Sequence, residues 1–215
     1  MRKKLLLWLL VAAGACVLGA ELWMPRKASL RDFDPARVAA LETSMWRAYY
    51  EKREGALFRD MSVLLRTQYH MPWLRSYSVA YQAARAAFVF KRGRVRADYE
   101  KALPLLESYY EAIRAGSDRA FDARQAARLE LEWWIVHRQR ELHEVADLER
   151  ALEDVQAAIY AVPSERFAEH ARLRAEAMRI RDDEAAANGV SETDWHHIQE
   201  LLRDSWTSLS RAVNS

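Results

Sequence analysis

The sequence predicts an all-α fold, with an N-terminal membrane or signal segment followed by about four antiparallel helical hairpins, and three observations predict it. Apolar residues recur at helical spacing throughout the chain after residue 34, and the alternation of half-buried strands is missing. The breakers Gly55, Gly93, Gly116, Gly189, Pro35, Pro72 and Pro163 fall between these stretches. At such junctions Gly supplies positive φ after a helix, and Pro stops one helix or opens the next. Finally, 215 residues at 51% hydrophobic and 30% charged are enough for one ordinary core inside a charged shell, with a leader in front.

The predicted organisation is a leader over 1–25, a linker over 26–34 and a helical domain over 35–215. In the leader, Arg2, Lys3 and Lys4 precede an uncharged run from Leu5 to Ala20, then Glu21, Trp23 and Pro25. Three readings fit this pattern. One is an uncleaved signal anchor, with Trp23 in the interfacial belt and Pro25 ending the helix. Another is a lipoprotein signal, since Ala13 to Cys16 resembles a lipobox with Cys16 as the lipidated residue. The third is ordinary cleavage after the Ala13-x-Ala15 pair. All three carry the helical domain across a bacterial-type inner membrane to the periplasm or exterior, and the anchor makes the membrane itself a partner. Cys16 is the only cysteine, so the exported domain has no disulfide, thiol nucleophile or Cys-ligated metal.

Asp34 and Pro35 read as an N-cap and first helical residue, opening a helix to about Arg53 that Gly55 breaks. The second helix runs to about Tyr69, with Phe58, Met61, Leu65 and Tyr69 on one face. The third, about Trp73 to Phe90, is apolar almost all round and is expected to be buried on most sides. Gly93 ends it. The fourth covers about Asp98 to Arg114, with a kink or a start near Leu103 because Pro104 cannot sit inside a straight helix. The fifth covers about Arg119 to Arg140. No Gly or Pro separates it from the sixth, which ends at Pro163. The seventh runs to about Gly189, and a capping box of Ser191 and Asp194 opens the eighth.

The stretch from Tyr81 to Ile113 resembles a tetratricopeptide repeat, on an Ala-rich helix, Gly93 and the segment Asp98 to Leu103. The likeness covers one hairpin of the four and implies a tetratricopeptide-like array that binds a peptide or protein on its concave face. The other arrangement of the same hairpins is a compact bundle.

Projecting the helices at about 100° per residue puts several polar residues on apolar faces. On the fifth helix Glu130 and His137 lie opposite the stripe Gln125, Arg128, Glu132 and Gln139. About 10 Å of helix axis separates them, so each needs a partner from another helix. Glu42 interrupts the arc of Val38, Met45, Trp46 and Tyr49. On the seventh helix His170, Arg174 and Arg181 form a stripe between two apolar ones. Glu42, Glu130, His137, His170, Arg174 and Arg181 are therefore candidates for an internal polar cluster. Such a cluster fixes helix register through ion pairs or lines a ligand or metal pocket.

Glu and His projecting into a bundle are also how di-metal carboxylate proteins bind a divalent metal, but no Glu-x-x-His occurs in this chain. Nucleophile elbows, Walker loops and dinucleotide fingerprints are likewise missing. With 33 basic and 31 acidic residues the net charge is +2, which excludes nucleic acid as the main partner. Arg92, Arg94 and Arg96 around Gly93 are either a solvated turn or a contact with anionic lipid. The sequence thus predicts a membrane-tethered, non-catalytic helical scaffold or partner-binding module. The alternative is a bundle that binds a metal or small ligand through the internal cluster.

Overall fold

The computed structural model describes residues 27–215 and the isolated leader positions 8, 9, 12, 14 and 19. The rest of the leader, including Cys16 and the predicted membrane segment, lies outside the described residues. Among the described residues no helix is long and apolar enough to cross a membrane.

The domain is all-α. Its long helices are α1 (Pro35–Tyr50), α2 (Glu54–Tyr69), α3 (Trp73–Arg92), α4 (Leu103–Gly116), α5 (Ala123–Arg138), α6 (Val145–Tyr160), α7 (Ala168–Ala187) and α8 (Glu192–Asn214). Short helical turns, Arg96–Tyr99 with Glu100–Ala102 and Ser164–Phe167, precede α4 and α7. Asp34 caps α1 by accepting from the amides of Ala36 and Arg37. Asp122 caps α5 in the same way, through Arg124 and Gln125. Ser191 and Asp194 form the expected box at α8. A second box, Glu144 with Asp147, starts α6 where no Gly or Pro marks the boundary. Pro104 sits in the first turn of α4, where its missing N–H costs nothing.

The glycines do less at the junctions than their positions suggest. Gly55 lies inside the first turn of α2, and the break before it falls at Glu51 to Arg53. Positive φ is carried there by Lys52, and elsewhere by His70, Ala161 and Gly189. Gly93 has φ of −68°, so its need for glycine is not conformational. A Cβ at Gly93 lies 2.6 Å from Cδ1 and 2.9 Å from Cε1 of Tyr99, whose buried ring packs on Phe90. Gly93→Ala therefore forces the Tyr99 ring off its seat. The expected loss is about 1–3 kcal/mol of stability, checked by urea denaturation against wild type.

Every helix packs on the next, and α8 packs on α1 as well as on α7. The hairpins thus close into a ring rather than extending as an open array. The closure is sealed by side chains: Arg47 of α1 pairs with Glu192 and lies over the Trp195 ring of α8, and Trp206 meets Phe33 edge to face at 5.9 Å. Short connections make neighbouring helices antiparallel. The connections 51–53, 93–102, 139–144 and 188–191 gather at one end of the ring, and 70–72, 117–122 and 161–167 at the other.

The chain enters at this second end, where residues 27–34 are pinned. Ala28 donates to the Gly116 carbonyl and accepts from the Asp118 amide, both at 2.9 Å, and Leu30 and Phe33 are buried. The third helix departs from expectation. Among its residues Val79, Ala80 and Ala86 are buried, but Trp73 and Tyr81 are 58% and 57% exposed. Its opposite, alanine-rich side faces the interior of the ring.

Candidate functional site

The ring encloses a cavity of about 580 Å³, and all eight helices contribute to its wall. Aromatic and sulfur side chains make up much of that wall, among them Met45, Trp46 and Tyr49 from α1, Met61 and Tyr69 from α2, Phe88 and Phe90 from α3, Tyr109 and Tyr110 from α4, Trp133 and Trp134 from α5, and Met178 from α7. The doublets Tyr49–Tyr50, Tyr109–Tyr110 and Trp133–Trp134 stack edge to face, with centroids 5.1, 5.1 and 6.1 Å apart. Ala83, Ala84 and Ala87 of α3 keep one wall thin and so leave the space open.

The inward polar residues divide into three groups. The first forms a knot deep in the cavity. Arg174 Nη2 donates to Glu42 Oε1 at 2.5 Å, and Trp206 Nε1 donates to Glu42 Oε2 at 2.6 Å. Glu130 accepts from Tyr110 OH at 2.9 Å and from Trp134 Nε1 at 3.0 Å. Burial opposes the charge on Arg174, but Glu42 and Glu130 more than offset it and hold its pKa above the ordinary value. The guanidinium also lies 5.3 Å from the Trp133 ring centre, a cation–π contact. Tyr69, Tyr109 and Tyr110 have raised pKa values, first from burial and then from neighbouring charges and phenols that include Glu130, so all three remain protonated donors.

The second group lies at the mouth. His137 Nε2 is 3.1 Å from Asp182 Oδ2, and Asp182 also pairs with Arg181 and with Arg140 at 3.0 Å. Arg181 stacks on the Tyr50 ring at 3.4 Å, linking α7 to α1 across the opening. Burial, then Arg181, Arg140 and Arg174, lower the pKa of His137 to about 4.

His170 stands apart from both groups. It is fully buried between α7 and α8, away from the cavity wall. Its Nδ1 donates to the Ser205 carbonyl at 3.1 Å, and the Ser205 hydroxyl donates to the His170 carbonyl at 2.9 Å. Burial and then Arg174 lower its pKa to about 3. The single cluster of six expected from the helical projection is therefore corrected. Glu42, Glu130 and Arg174 form the knot, His137 and Arg181 sit at the mouth, and His170 is a helix-packing residue.

The two lowered histidine pKa values have a consequence for pH. Above pH 6.5 both the folded and unfolded chains hold these rings neutral. Below it the unfolded chain takes up protons that the folded chain refuses until about pH 4 for His137 and about pH 3 for His170. Stability is thus full above pH 6.5 and falls as the solution is acidified toward those values. The slope is about 1.4 kcal/mol per pH unit for each ring. Urea midpoints measured between neutral pH and pH near 4.5 should drop steadily. His170→Gln should lose about half of that slope.

Several residues that matter here were not expected. Asp182 holds the mouth together, yet it sits in the acidic run Asp182, Asp183 and Glu184, which reads as a solvated face. Trp206 reads as apolar, but its N–H is the second donor to Glu42. Asp60, only 6% exposed, accepts from Ser44 Oγ at 2.6 Å and from Arg59 Nε at 2.9 Å between α1 and α2.

Among the described residues no group of three or more His, Cys, Asp or Glu side chains is placed to hold a metal ion. Glu42 accepts from Arg174 and Trp206, and Glu130 from Tyr110 and Trp134, so protein donors already engage both oxygens of each carboxylate. Around Gly93, Arg92 and Arg94 are exposed. Arg96 is paired with Glu100 at 3.1 Å and with Glu132 of α5 at 2.7 Å. No protein-family model, curated protein or solved structure shows significant similarity to this chain.

Proposed function

We propose that this chain is a non-catalytic binding protein whose ring of helices holds one small, largely apolar organic molecule in its central cavity. The observation that carries the reading is the cavity itself. Close-packed interiors keep few voids larger than a water molecule. A space of about 580 Å³ lies within the range of about 300–1,000 Å³ typical of small-molecule sites. Its composition fits as well: a broad aromatic and methionine wall with a few fixed polar groups. The Glu42–Arg174–Glu130 knot serves as a rigid floor. The phenols of Tyr69, Tyr109 and Tyr110 on the same wall remain protonated.

The test is a titration of the purified chain with the neutral dye Nile red, followed by fluorescence. The expected result is saturable enhancement at one dye per chain. Unsaturable or absent enhancement overturns the reading.

The exported, membrane-tethered placement belongs to the same proposal and rests on residues 1–25. The described chain enters the ring at the end opposite the mouth, so a tether there leaves the mouth open to ligand. A second reading, as a partner-binding scaffold, draws on the outer stripe of α3. There Trp73 and Tyr77 stack at 4.9 Å and Tyr81 lies beside Arg85, leaving aromatic anchors facing outward.

A further inference from the structure

Resting on the cavity as a ligand site, we propose that its occupant is an amphiphile with one carboxylate head and an apolar body, held with the head at the mouth and the body inside. The charges along the cavity decide this orientation. At the mouth stand Arg138, Arg140 and Arg181, with Lys91 beside them, its Nζ 5.0 Å from the Tyr49 ring. Against these four cations are Asp182 and Asp183, and both carboxylates are shared by Arg140.

Lys91 and Arg138 have no carboxylate partner among the described residues. Arg138 gives one bond to the Lys91 carbonyl and otherwise lies over Phe90 and Tyr99. The mouth therefore holds surplus positive charge, which a carboxylate satisfies.

The floor is the reverse. Two carboxylates, Glu42 and Glu130, face one guanidinium, so a second anion there meets net negative charge in a poorly solvated space. Between the two ends the wall offers Met45, Trp46, Ala84, Phe88, Trp133 and Met178, none of them charged. A cationic head is disfavoured at the mouth, and at the floor it has to compete with the Arg174, Tyr110, Trp134 and Trp206 donors that already hold the two carboxylates. A free small anion without an apolar body forgoes the wall altogether.

The experiment is displacement of Nile red from the full chain by dodecanoate, dodecanol, dodecylammonium and acetate. The expected order is dodecanoate tighter than dodecanol by about tenfold or more, dodecylammonium weakest of the three long chains, and acetate without effect. Substituting Arg138→Gln and Arg140→Gln together should weaken dodecanoate by about tenfold while leaving dodecanol within about twofold. High salt, which needs no variant, should weaken dodecanoate alone. Equal affinity for dodecanoate and dodecanol, or a preference for dodecylammonium, overturns the carboxylate head and leaves the cavity reading standing. Failure of Nile red itself to bind strikes the cavity reading instead.

Discussion

Replacing Ala84 by Trp should reduce Nile red binding by about tenfold or more while leaving the fold intact. Ala84 lies on the thin wall of the cavity beside Ala83 and Ala87. An indole added there projects into the space that the ligand needs. In a packed core such a small-to-large change forces side chains off their rotamers and costs about 1–3 kcal/mol. Into an open chamber it costs little, because the ring has somewhere to go. Binding and stability are therefore expected to separate: affinity collapses, while the urea midpoint stays close to wild type. A large loss of stability with binding unchanged would mean that the alanine face is packed rather than open.

The second large effect is expected at Glu42. This side chain is 6% exposed and is the acceptor for both Arg174 and Trp206. Glu42→Ala strands a buried guanidinium whose Nε already lacks a partner, and it orphans the Trp206 indole N–H. Breaking one side of a buried pair costs about 3–5 kcal/mol. The remaining attraction of Glu130 places this case near the lower figure, about 3 kcal/mol. Exchanging both members for apolar residues of similar volume, Glu42→Met with Arg174→Met, should recover part of the loss: the stranded guanidinium is gone, but Glu130 loses the cation it faces and the Trp206 N–H stays without its acceptor. Urea denaturation of Glu42→Met, Arg174→Met and the double variant yields the coupling directly.

Much of the interior was legible in the sequence because helical periodicity is strict. A carboxylate among Val38, Met45, Trp46 and Tyr49 has to point inward, as Glu42 does, and the same spacing found Glu130, His137, His170 and Arg174. Periodicity tells which face is inward but not which helix lies opposite, and this is why the cluster of six divides into three groups. It also cannot tell a packed core from the wall of a chamber. The alanines of α3 look equally buried in either case, so the cavity was invisible. Ring closure depends on α1 meeting α8, a contact between segments far apart in the chain and unmarked by any local pattern. The glycines misled because their conformational freedom is only one of their uses. At Gly93 the requirement is room for Tyr99, which no turn rule anticipates.

A ligand inside the ring is what these binding effects require. The most direct test is a nitrogen–proton correlation spectrum of the indole N–H groups during titration with Nile red. Trp46, Trp133, Trp134 and Trp206 line the cavity, whereas Trp73 lies on the outer surface. The predicted result is that the Trp133 and Trp134 resonances shift and saturate together while Trp73 stays fixed. Movement of Trp73 with the cavity indoles unmoved would place the dye on the outside of the ring and contradict binding in the cavity.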